Sequence, residues 1–413
     1  MLQEPIEKRN DWIYITDFSI QLGKERCFLT LGVSKQSLNE NGYELKHSQV
    51  RVLDLYVQQQ FDAEKVYDRI LKTAEKTGNP IQIISDKGSD IRKGIEKFCS
   101  ENRATIPTYD ISHMIGVVLK HHLEKDARWI SLHEDLYTLT QQIKQTEMSF
   151  LRPLAVSPKA RWMNIAKEIK YLEDIFGYEN KGDFSLISKE IKIDNSQEIF
   201  ELMKNKCKNK SEEISFTKEL AKNFADKESA IKWLNEKQPI EKEVIKFKDA
   251  GEIRYHEKFS ILKKHEKYIQ ELQQVNEIAE KIKCTIRKKG LSLDTLQEIE
   301  MLYNDNTYSS VYQVFNEINN NLQTEHSKCG IEKAPLLCCS EIIESIFGKF
   351  KMKSTQAIGG IYQSVLTIAL ICSDITPDKI MKILSQVKMA DVEHWFFTMA
   401  GKSNLYKRRL AFA

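Results

Sequence analysis

The sequence predicts an α/β fold, in which a mixed five-stranded sheet is flanked by helices and interrupted by a large all-α insertion. Two observations predict it. In residues 1–114, short β-branched runs alternate with stretches of helical periodicity. In residues 115–334, strand patterns almost vanish and Lys, Glu and Gln dominate a helical pattern. Residues 335–413 then return to apolar helices with a basic tail, so we expect them to complete the sheet domain.

Five strands are expected in the first region. Their bounds are Ile13 to Phe18, Arg26 to Val33, Val50 to Val57, Ile81 to Ser85 and Thr105 to Tyr109. Turn signals at Gly23-Lys24 and Asn41-Gly42 separate the first three strands into a meander. Helices are expected from Ala63 to Lys76 and from Ser89 to Asn102. Three antiparallel strands followed by alternating helices and strands is a ribonuclease H-like order.

Three carboxylates distant in sequence are the candidate catalytic residues. Asp17 follows the first apolar run and Asp86 follows the fourth, so both stand at the ends of neighbouring strands. Glu344 lies on a predicted helix whose apolar residues recur at 3- and 4-residue spacing. Such oxygen ligands suit Mg²⁺ or Mn²⁺, and two ions about 4 Å apart support phosphoryl transfer. The structural alternative is that the two Asp residues are turn or helix-capping acids, above all Asp86.

The motifs around these acids resemble the catalytic region of the D-D-E transposases. They are Thr16-Asp17-Phe18, Ser85-Asp86-Lys87-Gly88 and the segment from Glu344 to Lys351. In several bacterial insertion-sequence families the catalytic Glu is followed after six residues by Lys, and Glu344 has this spacing to Lys351.

Two details of the late helix bear on this resemblance. Glu341 lacks the Glu-to-Lys spacing, because Gly348 stands where the Lys is required. The signature also has Tyr and Arg upstream of the Glu, where this chain has Leu337 and Ser340.

Two further motifs carry the resemblance into the insertion. Asp110 and His113 are similar to a C/D-x-x-H element that supports the active site, although a lone His before an apolar run is commonly structural. Arg161 and Trp162 are similar to an Arg-Trp pair near the start of the insertion, which implies DNA binding. A core position is the alternative for Trp162, and an ordinary solvated lysine is the alternative to a phosphate contact for Lys351.

The resemblance implies a metal-dependent enzyme that cleaves DNA at transposon ends and transfers the strand to a target. It implies two Mg²⁺ (or Mn²⁺) ions bound by Asp17, Asp86 and Glu344, with double-stranded DNA as the partner of a homo-oligomer. The expected location is the cytoplasm, at the bacterial nucleoid. The alternatives are a ribonuclease H-like nuclease without strand transfer, or a truncated or domesticated transposase that acts as a DNA-binding protein.

The amino-acid composition distinguishes only weakly between these possible functions. The chain of 413 residues carries 62 Lys and Arg against 59 Asp and Glu, a weak average signal for nucleic acid. Its eight cysteines show no zinc-binding spacing, so we expect reduced thiols. No signal peptide and no membrane-spanning stretch is expected. No helix-turn-helix pattern precedes the first strand, which suggests a truncated or split transposase.

Overall fold

The computed structural model describes residues 6–22, 25–58, 61–153, 162, 165–181, 197–207, 210–224, 226–236, 257–303, 308–328, 335–354, 368–372 and 376–400. The chain divides into two compact units. The first unit consists of residues 1–116, 279–305 and 315–413, and the second consists of 117–278 and 306–314. The first of these divisions lies within two residues of the expected one. The others differ from it, because much of 279–334 groups with the sheet.

Five strands form one mixed sheet in the first unit. They are β1 (Trp12–Leu22), β2 (Glu25–Ser34), β3 (Arg51–Gln58), β4 (Gln82–Ser85) and β5 (Ile106–Tyr109). The spatial order is β3-β2-β1-β4-β5. The pairs β1–β2 and β2–β3 are antiparallel, whereas β1–β4 and β4–β5 are parallel. The predicted mixed five-stranded sheet is therefore confirmed, although β1 continues to Leu22 instead of ending at Phe18.

Helices make up most of the remaining described structure. In chain order they are α1 (Lys35–Asn41), α2 (Ala63–Thr77), α3 (Ser89–Glu101), α4 (Ile111–Leu123), α5 (Ala127–Ile143), α6 (Ile165–Lys181), α7 (Gln197–Lys206), α8 (Lys210–Asn223), α9 (Lys227–Glu236), α10 (Glu266–Lys289), α11 (Leu293–Glu300), α12 (Ser309–Ser327), α13 (Glu341–Ser354), α14 (Ile368–Ile371), α15 (Pro377–Gln386) and α16 (Met389–Ala400).

Helix α1 corrects one sequence-based expectation. The Asn41-Gly42 pair, expected as a turn between two strands, instead ends a helix, with Gly42 at φ 84°. The Ser34 side chain caps the start of this helix by accepting a hydrogen bond from the Ser37 N–H at 3.1 Å. A glycine with positive φ is favoured after a helix as well as in a hairpin, so the sequence pattern is the same for both.

The two faces of the sheet are covered by different helices, because successive strand residues point in opposite directions. Helices α2 and α3 cover one face, in a buried cluster that includes Tyr14, Phe28, Ile83, Val66, Ile70, Ile95 and Phe98. Helix α13 covers the other face, in a cluster that includes Ile13, Ile15, Leu29, Ile84, Ile343, Ile346 and Phe347. Any residue that shares a face with Ile15 and Ile84 is therefore on the side of α13.

Contacts between distant segments fix the chain that leads into α13. The Gln82 side-chain amide donates to the Leu337 carbonyl oxygen and accepts from the Leu337 N–H at 3.3 Å. Leu336 and Leu291 exchange backbone hydrogen bonds of 2.8 and 2.9 Å. Gly290, at φ 72°, has no room for a side chain, since a Cβ would lie 2.7 Å from the Tyr43 ring. These contacts explain why 279–305 belongs to the unit that contains the sheet.

The second unit is helical throughout its described residues. A network of ion pairs is one of the contacts within it. Arg128 at the start of α5 pairs with Asp126 and with Glu271 of α10, both at 2.7 Å. The Arg128 guanidinium also lies 4.4 Å from the centre of the Tyr268 ring. These contacts join α5 to α10 within the unit.

We expect Gln82→Met to destabilise the protein by roughly 1–3 kcal/mol. The substitution keeps the side-chain length but leaves the buried N–H and carbonyl groups of Leu337 without their partner. Urea denaturation measures the change. Gln297→Met on the exposed side of α11 is the matched control and should change stability little. Equal stability of Gln82→Met and wild type would contradict the importance of this contact.

Candidate active site at the sheet edge

Asp17 and Asp86 lie at the same edge of two neighbouring parallel strands. The register pairs Ile15 of β1 with Ile84 of β4, so two further residues along each strand bring Asp17 alongside Asp86. Both residues are two positions beyond an isoleucine that packs toward α13. Alternation along the strands therefore directs both carboxylates to the α13 side of the sheet. Both residues are only partly accessible to solvent.

Glu344 reaches this edge from α13. The helix is anchored on the sheet by the buried side chains of Ile343, Ile346 and Phe347. Glu344 itself stays exposed in the first turn, next to this apolar face. Its charge acts on Asp17 together with that of Asp86. The structure thus brings together the three acids that the sequence predicts, although 258 residues separate Asp86 from Glu344 (344 minus 86).

The pKa of Asp17 reflects its burial and the charges of the other two acids. Burial raises the pKa of Asp17 to about 7, with further upward shifts from the charges of Asp86 and Glu344. Desolvation likewise raises the pKa of Glu344, assisted by the charges of Asp110 and Glu341. Both pKa values are lowered in part by the nearby His113. The arrangement therefore concentrates negative charge at one point, which is the property of a cation-binding site.

Glu341, one turn before Glu344, has a different environment. Its Oε1 atom pairs with Lys283 Nζ at 2.8 Å and accepts a hydrogen bond from Ser112 Oγ at 3.2 Å. Its Oε2 atom lies 3.5 Å from Arg287 Nη1. Desolvation opposes ionisation, but these partners lower the pKa of Glu341 overall. Glu341 is therefore neutralised by neighbouring cations, whereas Glu344 faces other carboxylates.

Asp110 and His113 lie directly beside the acids. Asp110 is 1% exposed, and its Oδ1 accepts from the His113 N–H at 2.9 Å and contacts His113 Nδ1 at 3.1 Å. Its Oδ2 accepts from the N–H and the hydroxyl of Ser340, both at 2.6 Å. Ser340, directly before α13, thus binds the buried carboxylate of Asp110 through two hydrogen bonds.

His113 supplies positive charge to this group of acids. Burial alone lowers the pKa of His113, but the hydrogen bond to Asp110 and the charges of Asp110, Asp86 and Glu344 raise it to about 9. The imidazole is therefore protonated at neutral pH. It is oriented from behind by Asp110, as expected of a residue that supports the site.

The loop after Asp86 is held by contacts that the sequence does not reveal. Lys87 has φ 56°, the only positive value at a non-glycine among the described residues. Its ammonium group pairs with the buried Glu325 of α12 and lies 4.5 Å from the centre of the Tyr109 ring. Glu325 also accepts a hydrogen bond from the Tyr109 N–H at 3.2 Å. These contacts fix the backbone next to the second acid.

The capping alternative for Asp86 is realised only in part. Asp86 Oδ1 accepts from the Gly88 N–H at 2.9 Å, so it shapes the turn that precedes α3. Gly88 is the N-cap residue, and no side chain caps the helix. The Asp86 carboxylate remains close enough to Asp17 and His113 to shift their pKa values.

The three residues predicted to bind DNA have different outcomes. Trp162 lies in the second unit and stacks on Trp129, with 5.2 Å between ring centres and 29° between ring planes. Trp129 is itself buried. Arg161 lies outside the described residues. Lys351 belongs to α13 by its backbone, and its side chain lies outside the described part of the chain.

Comparison with known proteins adds no family assignment. No family model and no curated protein matched the chain. Among the helices of the described residues, none has both the length and the apolar character needed to cross a membrane. The interpretation of the site therefore depends on its own residues and geometry.

We expect Asp17→Asn to raise the melting temperature in EDTA at pH 8, with a gain of roughly 1–3 kcal/mol. The ionised Asp17 is partly buried beside two other carboxylates, and an amide of equal size removes that repulsion. Addition of MnCl₂ should then stabilise the wild type more than the variant. Asp11→Asn is the control with the opposite sign, because Asp11 pairs with Arg9 at 2.8 Å. A lower melting temperature of Asp17→Asn in EDTA would contradict the repulsion.

For Trp162→Ala we expect a loss of roughly 1–3 kcal/mol of stability, because the partly buried indole stacks on Trp129. Trp162→Phe retains an aromatic ring and should recover most of the loss. Chemical denaturation followed by circular dichroism measures both variants. Unchanged stability of Trp162→Ala would show that the stack contributes little and would favour the DNA-stacking hypothesis.

Proposed function

We propose that the chain is the catalytic region of a D-D-E transposase, with a ribonuclease H-like core that cuts DNA and joins it to a target. The observation that carries the proposal is the meeting of Asp17, Asp86 and Glu344 at one sheet edge. Acids that merely end strands or cap helices have no reason to converge from three distant segments. The order of the strands and the six-residue spacing from Glu344 to Lys351 support the same assignment.

In this proposal the three carboxylates would hold a pair of Mg²⁺ or Mn²⁺ ions. Their ligand atoms are all oxygen, which these cations prefer. Burial, together with the charges of Asp86 and Glu344, raises the pKa of Asp17, and a bound cation would favour its ionised form. When bound there, the ions would supply Lewis acidity toward a phosphate oxygen and the attacking oxygen. Asp17, Asp86 and Glu344 are the residues that would hold them.

The protein residues have separate parts in this proposal. Asp17 stands on β1 and Asp86 follows β4 directly, so the paired strands define their positions. Glu344 approaches from a helix that is packed on the same face of the sheet. His113, protonated and held by Asp110, places a positive charge next to the acids, where the negative charge of a phosphodiester group develops. Asp110 and Ser340 position His113 and take no direct part in the reaction.

Cleavage and joining are tested together with supercoiled plasmid DNA that carries the sequences flanking the gene, in MnCl₂ or MgCl₂. Asp17→Asn, Asp86→Asn and Glu344→Gln should each lower cleavage by about 100-fold or more, because each removes one carboxylate charge and keeps the shape. DNA binding and folding should change little.

Asp68→Asn in α2, on the opposite face of the sheet, and Glu298→Gln in α11 are the matched controls, since they make the same chemical changes away from the acids. Both should retain wild-type cleavage. Near-wild-type cleavage in any of the three acid variants would exclude that residue as a ligand. Nicked products without joined products would favour the nuclease alternative, and binding without any cleavage would favour a DNA-binding role.

A further inference from the structure

Two cationic side chains on α10 lie near the candidate active site, where they pair with Glu341 and not with the three candidate catalytic acids. Lys283 and Arg287 are one helical turn apart, and both contact Glu341 of α13, at 2.8 and 3.5 Å respectively. Glu341 lies one turn before Glu344 on the same helix, so the two glutamate Cβ atoms are about 5–6 Å apart. The charge of Lys283 also acts on Glu344. A basic pair therefore borders the candidate active site and is occupied by a side chain of the protein itself.

The hydrogen-bonding capacity of Arg287 is largely unused. A guanidinium group has five N–H donors in a planar fork that matches a phosphate group. Among the described residues, Arg287 makes long ion pairs, 3.5 Å from Nη1 to Glu341 and 3.5 Å from Nε to Glu44. Its Nε atom is buried and has no hydrogen-bond partner. Burying such a donor without a hydrogen bond is unfavourable, so a better acceptor would be bound readily.

We infer that Lys283 and Arg287 bind a backbone phosphate of the DNA strand beside the one that reacts, and that Glu341 occupies this position until DNA displaces it. The inference rests on the proposed function for the choice of DNA as the ligand. If the strand with its reacting phosphate at the three acids runs along α13 toward the N-terminal end of the helix, its next phosphate meets Glu341, which lies one turn before Glu344. Phosphate oxygens and the Glu341 carboxylate compete for the N–H donors of Lys283 and Arg287. A polyanion that fits poorly cannot displace Glu341, so Glu341 weakens its binding.

The inference is tested by the affinity for a duplex DNA of unrelated sequence, measured by fluorescence anisotropy in EDTA over a series of KCl concentrations. Glu341→Gln removes the competing charge and should tighten binding about 3- to 10-fold. The slope of log affinity against log salt should become steeper by about 1, as for one added phosphate contact. Omission of divalent metal separates this test from catalysis.

Glu298→Gln is the matched control. Glu298 pairs with Lys289 of the same helix α10 at 2.6 Å, so this substitution changes the net charge equally and also releases a lysine. It should change the affinity less than twofold. If Glu298→Gln and Glu341→Gln tighten binding equally, the effect is general electrostatic attraction and the inference is overturned.

A second variant excludes an indirect effect through folding. Lys283→Met combined with Glu341→Gln removes both members of the shorter ion pair, while Arg287 keeps its contact with Glu44. It should lose the gain in affinity seen with Glu341→Gln, while thermal melting checks that each variant is folded. A gain that persists in the double variant overturns the inference. Absence of plasmid cleavage by the wild-type protein, with the expected binding changes here, would reject the proposed function and leave the phosphate site intact.

Discussion

The hydrogen bonds of the buried Asp110 carboxylate are the interactions on which the candidate site depends. The carboxylate lies just after β5, and its two oxygens bind groups from two directions: His113 in α4, and Ser340 at the start of α13. A carboxylate that is 1% exposed has to be surrounded by donors, because an unpaired buried charge is strongly unfavourable. Satisfying this one group therefore fixes the orientation of the imidazole and the position of the helix that carries Glu344.

The charges around the sheet edge form two groups of opposite character. Asp17, Asp86 and Glu344 face one another, and His113 is the cation that acts on all three. One turn away, Glu341 faces two cations, Lys283 and Arg287. A single helix thus carries one glutamate in an excess of negative charge and another in an excess of positive charge. The three-residue difference between Glu341 and Glu344 decides which of the two is available to a cation from solution.

The sheet was largely predictable from the sequence, because buried strands consist of short runs of β-branched and apolar residues at consecutive positions. Each expected strand is present, since β-branched runs and turn residues are properties of consecutive positions. The end of β1 was missed because Asp17 interrupts the β-rich run, whereas the strand continues to Leu22 by pairing with β2. Helix α1 was missed because Leu38 is its only buried residue, which is too little to give a periodic pattern.

The environment of the site was predictable only in part. The three acids were found by motif and spacing, and the structure brings them together. The ion pair between Lys87 and Glu325 joins residues 238 positions apart, and the Gln82 contact with Leu337 joins residues 255 apart. Patterns among neighbouring residues in the sequence cannot predict contacts between such distant residues. Local sequence patterns do not predict the grouping of 279–305 with the sheet either. It involves the backbone bridge between Leu291 and Leu336 and the close packing of Gly290, which has no room for a side chain.

The register of β1 has a consequence for changes in chain length. Asp17 faces α13 only because an even number of positions separates it from Ile13 and Ile15. One residue inserted between Ile15 and Asp17 would turn the carboxylate toward the α2 and α3 side of the sheet. The irregularity in the β1–β2 pairing lies between Ser19 and Gln21, beyond the carboxylate. Insertions and deletions in the β1–β2 hairpin can therefore be accommodated beyond Ser19. The alternation of side chains before Asp17, which directs its carboxylate toward α13, then stays unchanged.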